Sequence, residues 1–146
     1  MVNLELESKS PGFWKGKQVL EVGCGCGLAG LALASMGAHV VLTDLPKVLD
    51  LARRNCERNQ EMIARANGSA EAKVLDWLDC SSGDDERPAG FPQFDVVIAA
   101  DCVYYKDLFV PLLKVLKLFS RGGGGTDIYL ASIKRWKVVG KFFKVR

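Results

Sequence analysis

The sequence predicts an α/β protein: an open, mostly parallel sheet covered by helices on both faces. Three observations carry that prediction. Short segments rich in valine, leucine and isoleucine alternate with helical patterns along the chain. Those short segments are nearly continuous in apolar residues, as strands buried on both faces of a parallel sheet are. A glycine-rich turn, Gly23-Cys24-Gly25-Cys26-Gly27, leads from the first strand into the first helix. Repeated strand-then-helix units close through right-handed crossovers, which leaves few other topologies.

The elements follow in order. Strands are expected at 18–22 (QVLEV), 39–43 (HVVLT), 73–76 (KVLD), 94–100 (FDVVIAA) and 127–133 (DIYLASI). His39 opens a buried strand and reads as a packed, hydrogen-bonded residue rather than a base. Helices are expected at 28–36, 46–66 and 108–119. In the second, Val48, Leu49, Ala52, Cys56 and Ile63 fall largely on one stripe, and Pro46 suits the first turn. In the third, Pro111 is tolerable only near the start. Residues 80–93 (CSSGDDERPAGFPQ) read as a polar, mobile connection. The glycines at 122–125 precede a strand, whereas phosphate loops follow one, so they read as a flexible link. Residues 134–146 (KRWKVVGKFFKVR) place Trp136, Val139 and Phe143 on one face of an amphipathic helix that docks on the sheet.

Composition excludes several classes. The chain has 146 residues, 49% apolar and 25% charged, an ordinary globular balance that supports one domain with a sizeable core. No apolar run reaches the roughly 18 residues of a membrane span. The first dozen residues are too polar for a signal peptide. Five cysteines, an odd number, do not form a disulfide framework and point to a reducing compartment. Charge is uneven: residues 71–105 carry a net −6 and residues 106–146 a net +8. That split suggests an acidic pocket or rim in the middle of the chain and a basic surface at its end.

The glycine turn is the strongest chemical signal. Alternate glycines let the backbone turn sharply and admit a ligand close to the main chain. In open α/β sheets ligands bind outside the carboxyl ends of the strands, where this turn lies. Two patterns overlap here. Gly25 to Gly30 spells G-x-G-x-x-G, the dinucleotide fingerprint, with Asp44 at a distance suited to a ribose. Glu21, however, puts a carboxylate at the strand's end, repulsive to a pyrophosphate and attractive to an ammonium. S-adenosylmethionine offers an ammonium and no phosphate, and the acid favours it. Cys24 and Cys26 lack a second pair or a histidine at metal spacing, so no metal is expected. Cys56, Cys80 and Cys102 read as small apolar fillers.

Three further motifs extend the pattern: T-D-L-P at 43–46, L-D-W at 75–77 and A-D-C-V-Y at 100–104. Together with the glycine turn they resemble the seven-strand, S-adenosylmethionine-dependent protein-lysine methyltransferases of the methyltransferase-like group that acts on non-histone proteins. The resemblance runs from about Phe13 to Ser132. It implies one Rossmann-like methyltransferase domain over residues 1–146 and transfer of a methyl group to a lysine side chain of a protein. It further implies a cofactor set of Glu21, Gly23, Cys24, Gly25, Gly27, Asp44, Asp76, Trp77 and Ala100. Asp44 would accept both ribose hydroxyls, Asp76 the adenine amino group, and Trp77 would lie against the ring. Asp101 and Tyr104 form the implied catalytic pair, Asp101 facing the cationic centre and Tyr104 walling the lysine channel.

The chain also departs from that family. Only 17 residues precede the first strand, and Trp14 lies too close to it to match the family's early tryptophan. The family continues into an antiparallel strand pair, whereas this sequence stops at Arg146. The expectation is therefore a methyltransferase fold shortened at both ends, lacking its last two strands, with the fifth strand left as an open edge. Two other functions stand beside lysine methylation: a non-catalytic short form that binds the cofactor, and a methyltransferase of a small molecule or nucleic acid. The expected setting is a cytoplasmic or nuclear monomer with a protein substrate and neither membrane nor nucleic-acid partner.

Overall fold

The structure, a computed structural model, describes Ser10 and residues 12–82, 87–120, 125–133 and 139–142. Five strands form one fully parallel sheet: β1 (Gln18–Val22), β2 (His39–Asp44), β3 (Ser69–Val74), β4 (Val96–Ala100) and β5 (Asp127–Ala131). Their order is β3-β2-β1-β4-β5. The chain winds one way through β1, β2 and β3 and then crosses to the other side for β4 and β5. The reversal between β1 and β4 opens a crevice at the strands' carboxyl ends.

Period-two alternation assigns the sheet's two faces. Val19, Val40, Leu42, Val96 and Ile98 pack with residues of α1 (Leu28–Ala34) and α2 (Pro46–Arg65) on one face. Leu20, Val22, Val41, Val97 and Ala99 pack on the other with α4 (Phe109–Ser120). Val19, Leu20 and Val22 are wholly buried because β1 is central and covered twice. Each such side chain contributes about 1.5–3 kcal/mol by leaving water. Trp14 closes the first face, buried edge-to-face against Phe13 and Tyr129.

Most elements lie where the sequence places them, with ends shifted by one or two residues. Pro111 is the third residue of α4, after a short 3-10 turn at Lys106–Leu108. His39 is held by Ser69, Nδ1 to Oγ 3.0 Å, as a hydrogen-bonded strand residue.

Two expectations change. β3 begins four residues earlier than the apolar pattern indicates, because Ser69 to Val74 pair in register with all six residues of β2. Its inward residues are only Ala70 and Ala72, too small to signal a strand. Of residues 80–93, residues 83–86 lie outside the described residues, and the described part is not simply a mobile connection. Cys80 to Ser82 finish α3 (Trp77–Ser82). Beyond it, Gly90 O accepts Lys73 Nζ at 3.0 Å, Pro92 O accepts Arg87, and Phe91 packs on Phe119. Of the amphipathic end, only α5 (Val139–Phe142) is described; Phe142 is buried against Phe109 of α4, in the core cluster that also holds Leu20, Val22, Val97 and Ala99 of the sheet. Trp136, Phe143 and the glycines at 122–124 lie outside the described residues.

Candidate functional site

A cavity of about 340 Å³ occupies the crevice at the carboxyl ends of β1 to β4. That volume lies at the lower end of the range for small-molecule sites. Gly23 and Gly25 form its floor, Asp44, Asp76 and Asp101 stand at three strand ends, and Trp77 and Tyr104 wall it. Seven of the eleven residues expected from the sequence to bind the cofactor or act in catalysis, Trp77 among them, are thus brought together by the fold.

The turn is built by backbone geometry that only glycine tolerates. Gly23 has φ +67°, and a Cβ there would lie 2.8 Å from Cys102 Sγ and 2.9 Å from the Trp77 ring. Gly25 has φ +55° with open space around it, so its backbone faces the cavity unobstructed. Asp44 braces the turn. Its Oδ2 accepts Gly25 N–H and its Oδ1 accepts Leu45 N–H, both at 2.8 Å. Each carboxylate oxygen keeps a second lone pair for a ligand hydroxyl. Asp76 Oδ1 accepts Leu78 N–H at 2.9 Å, which starts α3 and sets Trp77 at the rim.

Asp101 is one of two non-glycine residues with positive φ among the described residues, at +56°, the other being Asn67. Its amide is secured to Ala131 O at 2.8 Å. Aspartate in the left-handed region costs about 1–2 kcal/mol, and such strain gathers at functional positions. Tyr104 is half exposed at the mouth, stacked edge-to-face on Tyr105. Partial burial, then the neighbouring Cys102, Asp44 and Tyr105, raise its phenol above the usual range, so it stays protonated at neutral pH.

Four expected cofactor residues lie outside the lining: Glu21, Cys24, Gly27 and Ala100. Glu21 faces the α1 side of the sheet like Val19, two residues before it. It is buried, and its Oε2 accepts Gly30 N–H at 2.8 Å. Burial lifts its carboxyl from 4.5 to about 7, with Asp44 adding to the rise and the Gly30 hydrogen bond opposing it. Cys24 also belongs to that inner cluster, and burial raises its thiol to about 12. Gly27, at φ +81°, starts α1 over Leu42. Ala100 ends β4, paired with Ala131.

The sequence reading missed Leu45, Val48, Leu75, Leu78 and Leu108, which supply the apolar lining, and assigned Cys102 to packing alone. The Cys102 thiol donates to Val22 O at 3.1 Å, joining the ends of β1 and β4 beneath Gly23. Their common signal is position: most lie within four residues after a strand end.

Comparison with known proteins agrees with this geometry. The profile of a family described as lysine methyltransferase matches residues 5–145. EEF1A lysine methyltransferase 3 of Xenopus tropicalis is 35% identical over 123 residues, 84% of this chain and 49% of the relative. Calmodulin-lysine N-methyltransferase of Arabidopsis thaliana is 30% identical over 137 residues, 92% of this chain and 43% of the relative. The chain spans about half the length of the curated relatives it matches. In fold it is similar to the PH0226 protein of Pyrococcus horikoshii (TM-score 0.60, 23% identity, 87% of this chain and 54% of that one). It is also similar to magnesium protoporphyrin IX methyltransferase of Synechocystis with bound SAH (TM-score 0.53, 23% identity, 79% of this chain and 46% of that one). The glycine turn, the aspartates at three strand ends and the match along nearly the whole chain agree: the chain belongs to the lysine methyltransferase family.

Proposed function

We propose that the chain binds S-adenosylmethionine in the strand-end cavity and transfers its methyl group to a lysine side chain of a protein. The observation that carries this reading is the convergence of Gly23, Gly25, Asp44, Asp76, Trp77 and Asp101 on one cavity in a member of this family.

The residues present fit the cofactor. The open backbone at Gly25 admits a ligand against the main chain. Asp44 offers two acceptor oxygens to ribose hydroxyls, and Asp76 offers one to an adenine amino group. Trp77 gives the ring a flat partner, worth about 1–3 kcal/mol by stacking. When bound, S-adenosylmethionine supplies an electrophilic methyl group on a positively charged sulfur.

The chain's own residues prepare the acceptor. A lysine amine must be neutral to attack, and withdrawal from water into an apolar wall lowers its pKa. Leu108 and Tyr104 provide such a wall at the mouth. Asp101 faces the cationic centre and orients the amine. Tyr104, protonated at neutral pH, keeps a donor and an acceptor at the channel. Alignment supplies most of the acceleration, because no strong base is required once the amine is neutral.

The test is direct. Incubation of the chain with methyl-labelled S-adenosylmethionine and a cell extract should place label on protein, at lysine after hydrolysis. Label in RNA or in small molecules alone, or cofactor binding without any transfer, would overturn the reading.

A further inference from the structure

The first helix has no side-chain cap of its own. Its N-cap is Gly27, and no acidic residue lies in its first turn. The amide of Gly30, three residues into the helix, is instead satisfied from another element, by Glu21 of β1. That contact needs a glycine at position 30. A Cβ there would meet Glu21 Oε2 at 2.5 Å and collide with the Leu42 side chain. Glu21 is buried beneath the turn and does not line the cavity.

We propose that Glu21 is a positioning residue: its carboxyl latches Gly30 N–H, fixing where α1 begins and so where the turn at 23–27 meets the cofactor. The proposal rests on the reading that the cavity takes S-adenosylmethionine. It gives the acidic residue of the glycine motif a role through the backbone rather than by contact with the ligand. The turn is held by Asp44 at Gly25, by the Thr43 carbonyl accepting Cys24 N–H, by Asn55 Nδ2 donating to the Cys26 carbonyl, and by Glu21 through Gly30. Only the last bears on α1 itself.

The charge on Glu21 is separable from its hydrogen bond. One carboxyl oxygen accepts Gly30 N–H whether or not the other carries a proton, and a glutamine amide oxygen can do the same. The titratable groups that face it are Asp44, Cys24 and Cys102; the nearby side chains of β2, Val40 and Leu42, are apolar.

Two variants and one spectroscopic measurement test the latch. Glu21→Gln keeps the acceptor, so its affinity for S-adenosylhomocysteine should stay within about threefold of the parent. Glu21→Leu removes the acceptor at similar volume and should weaken binding about tenfold or more. In the unmodified chain, the Gly30 amide proton should shift with the Glu21 titration between pH 5 and 9. In Glu21→Gln it should not. Full affinity in Glu21→Leu, or equal losses in both variants, overturns the latch; equal losses would mean that the charge itself meets the ligand. Should Glu21→Leu not fold, the amide titration decides alone, and a Gly30 amide indifferent to pH overturns the proposal. That readout needs no ligand. A chain that shows it yet fails to bind S-adenosylhomocysteine overturns the cofactor reading and leaves the latch standing.

Discussion

Asp44 Oδ2 accepts the Gly25 amide at 2.8 Å, so the residue that ends β2 holds the floor of the cavity made by the turn after β1. On the proposed reading one carboxylate serves two purposes, bracing the turn and presenting its remaining lone pairs to the cofactor. Asp44→Ala removes both, and affinity for S-adenosylmethionine should fall about ten- to hundredfold, as for loss of hydrogen bonds to a charged group. Asp44→Asn, which keeps one acceptor oxygen, should fall less. Calorimetric titration of both variants checks the order.

Gly23 is confined between Cys102 and Trp77. Gly23→Ala forces either the ring or the thiol to move and adds backbone strain at φ +67°. Overpacking and strain together should cost about 2–4 kcal/mol. Thermal unfolding should show a clearly lowered midpoint, with Trp77 fluorescence altered in the folded protein. An unchanged midpoint would contradict the close approach.

Asp101→Asn is the informative change at the acceptor side. Asparagine tolerates the left-handed backbone as aspartate does, so the substitution reports charge rather than strain. Methyl transfer should fall about ten- to hundredfold, the scale of a lost interaction with a charged group, with cofactor affinity nearly unchanged. Tyr104→Phe should show a smaller loss. If both variants transfer methyl groups at the parent rate, neither residue serves the reaction.

The pH dependence of stability follows from Glu21. Its carboxyl titrates at about 7 in the folded chain against an ordinary 4.5. A raised folded pKa means that the folded state holds the proton more tightly. The stabilisation is complete below pH 4.5 and is lost as pH rises through about 7, levelling above it. The full span corresponds to about 3 kcal/mol. Glu21→Gln lacks this loss. Its stability relative to the parent, by urea denaturation, should therefore grow from pH 5 to pH 7 and then level off.

Much of the site was legible before the fold was known, for reasons visible in particular residues. Gly23, Gly25, Asp44, Asp76 and Asp101 follow strand ends, and strands covered on both faces announce themselves by continuous apolar runs. β3 was misplaced because Ala70 and Ala72 bury too little surface to stand out. The contact of α5 with α4 could not be read, since an amphipathic face specifies that it is covered and not by what; Phe109 supplies the answer.

Glu21 marks the boundary most clearly. Its presence at the end of β1 was plain in the sequence, and its charge suggested contact with an ammonium. The direction of its side chain depends on the pleat of β1 and on α1 lying above it, which set it beside Val19 and under Gly30. Sequence order alone determined the α/β class, the parallel sheet and the chemical types gathered at the strand ends, because periodicity and glycine placement are local. Which carboxylates line the cavity and which brace it from beneath was decided by packing between elements far apart in the chain, because burial and hydrogen-bond partners exist only once those elements meet.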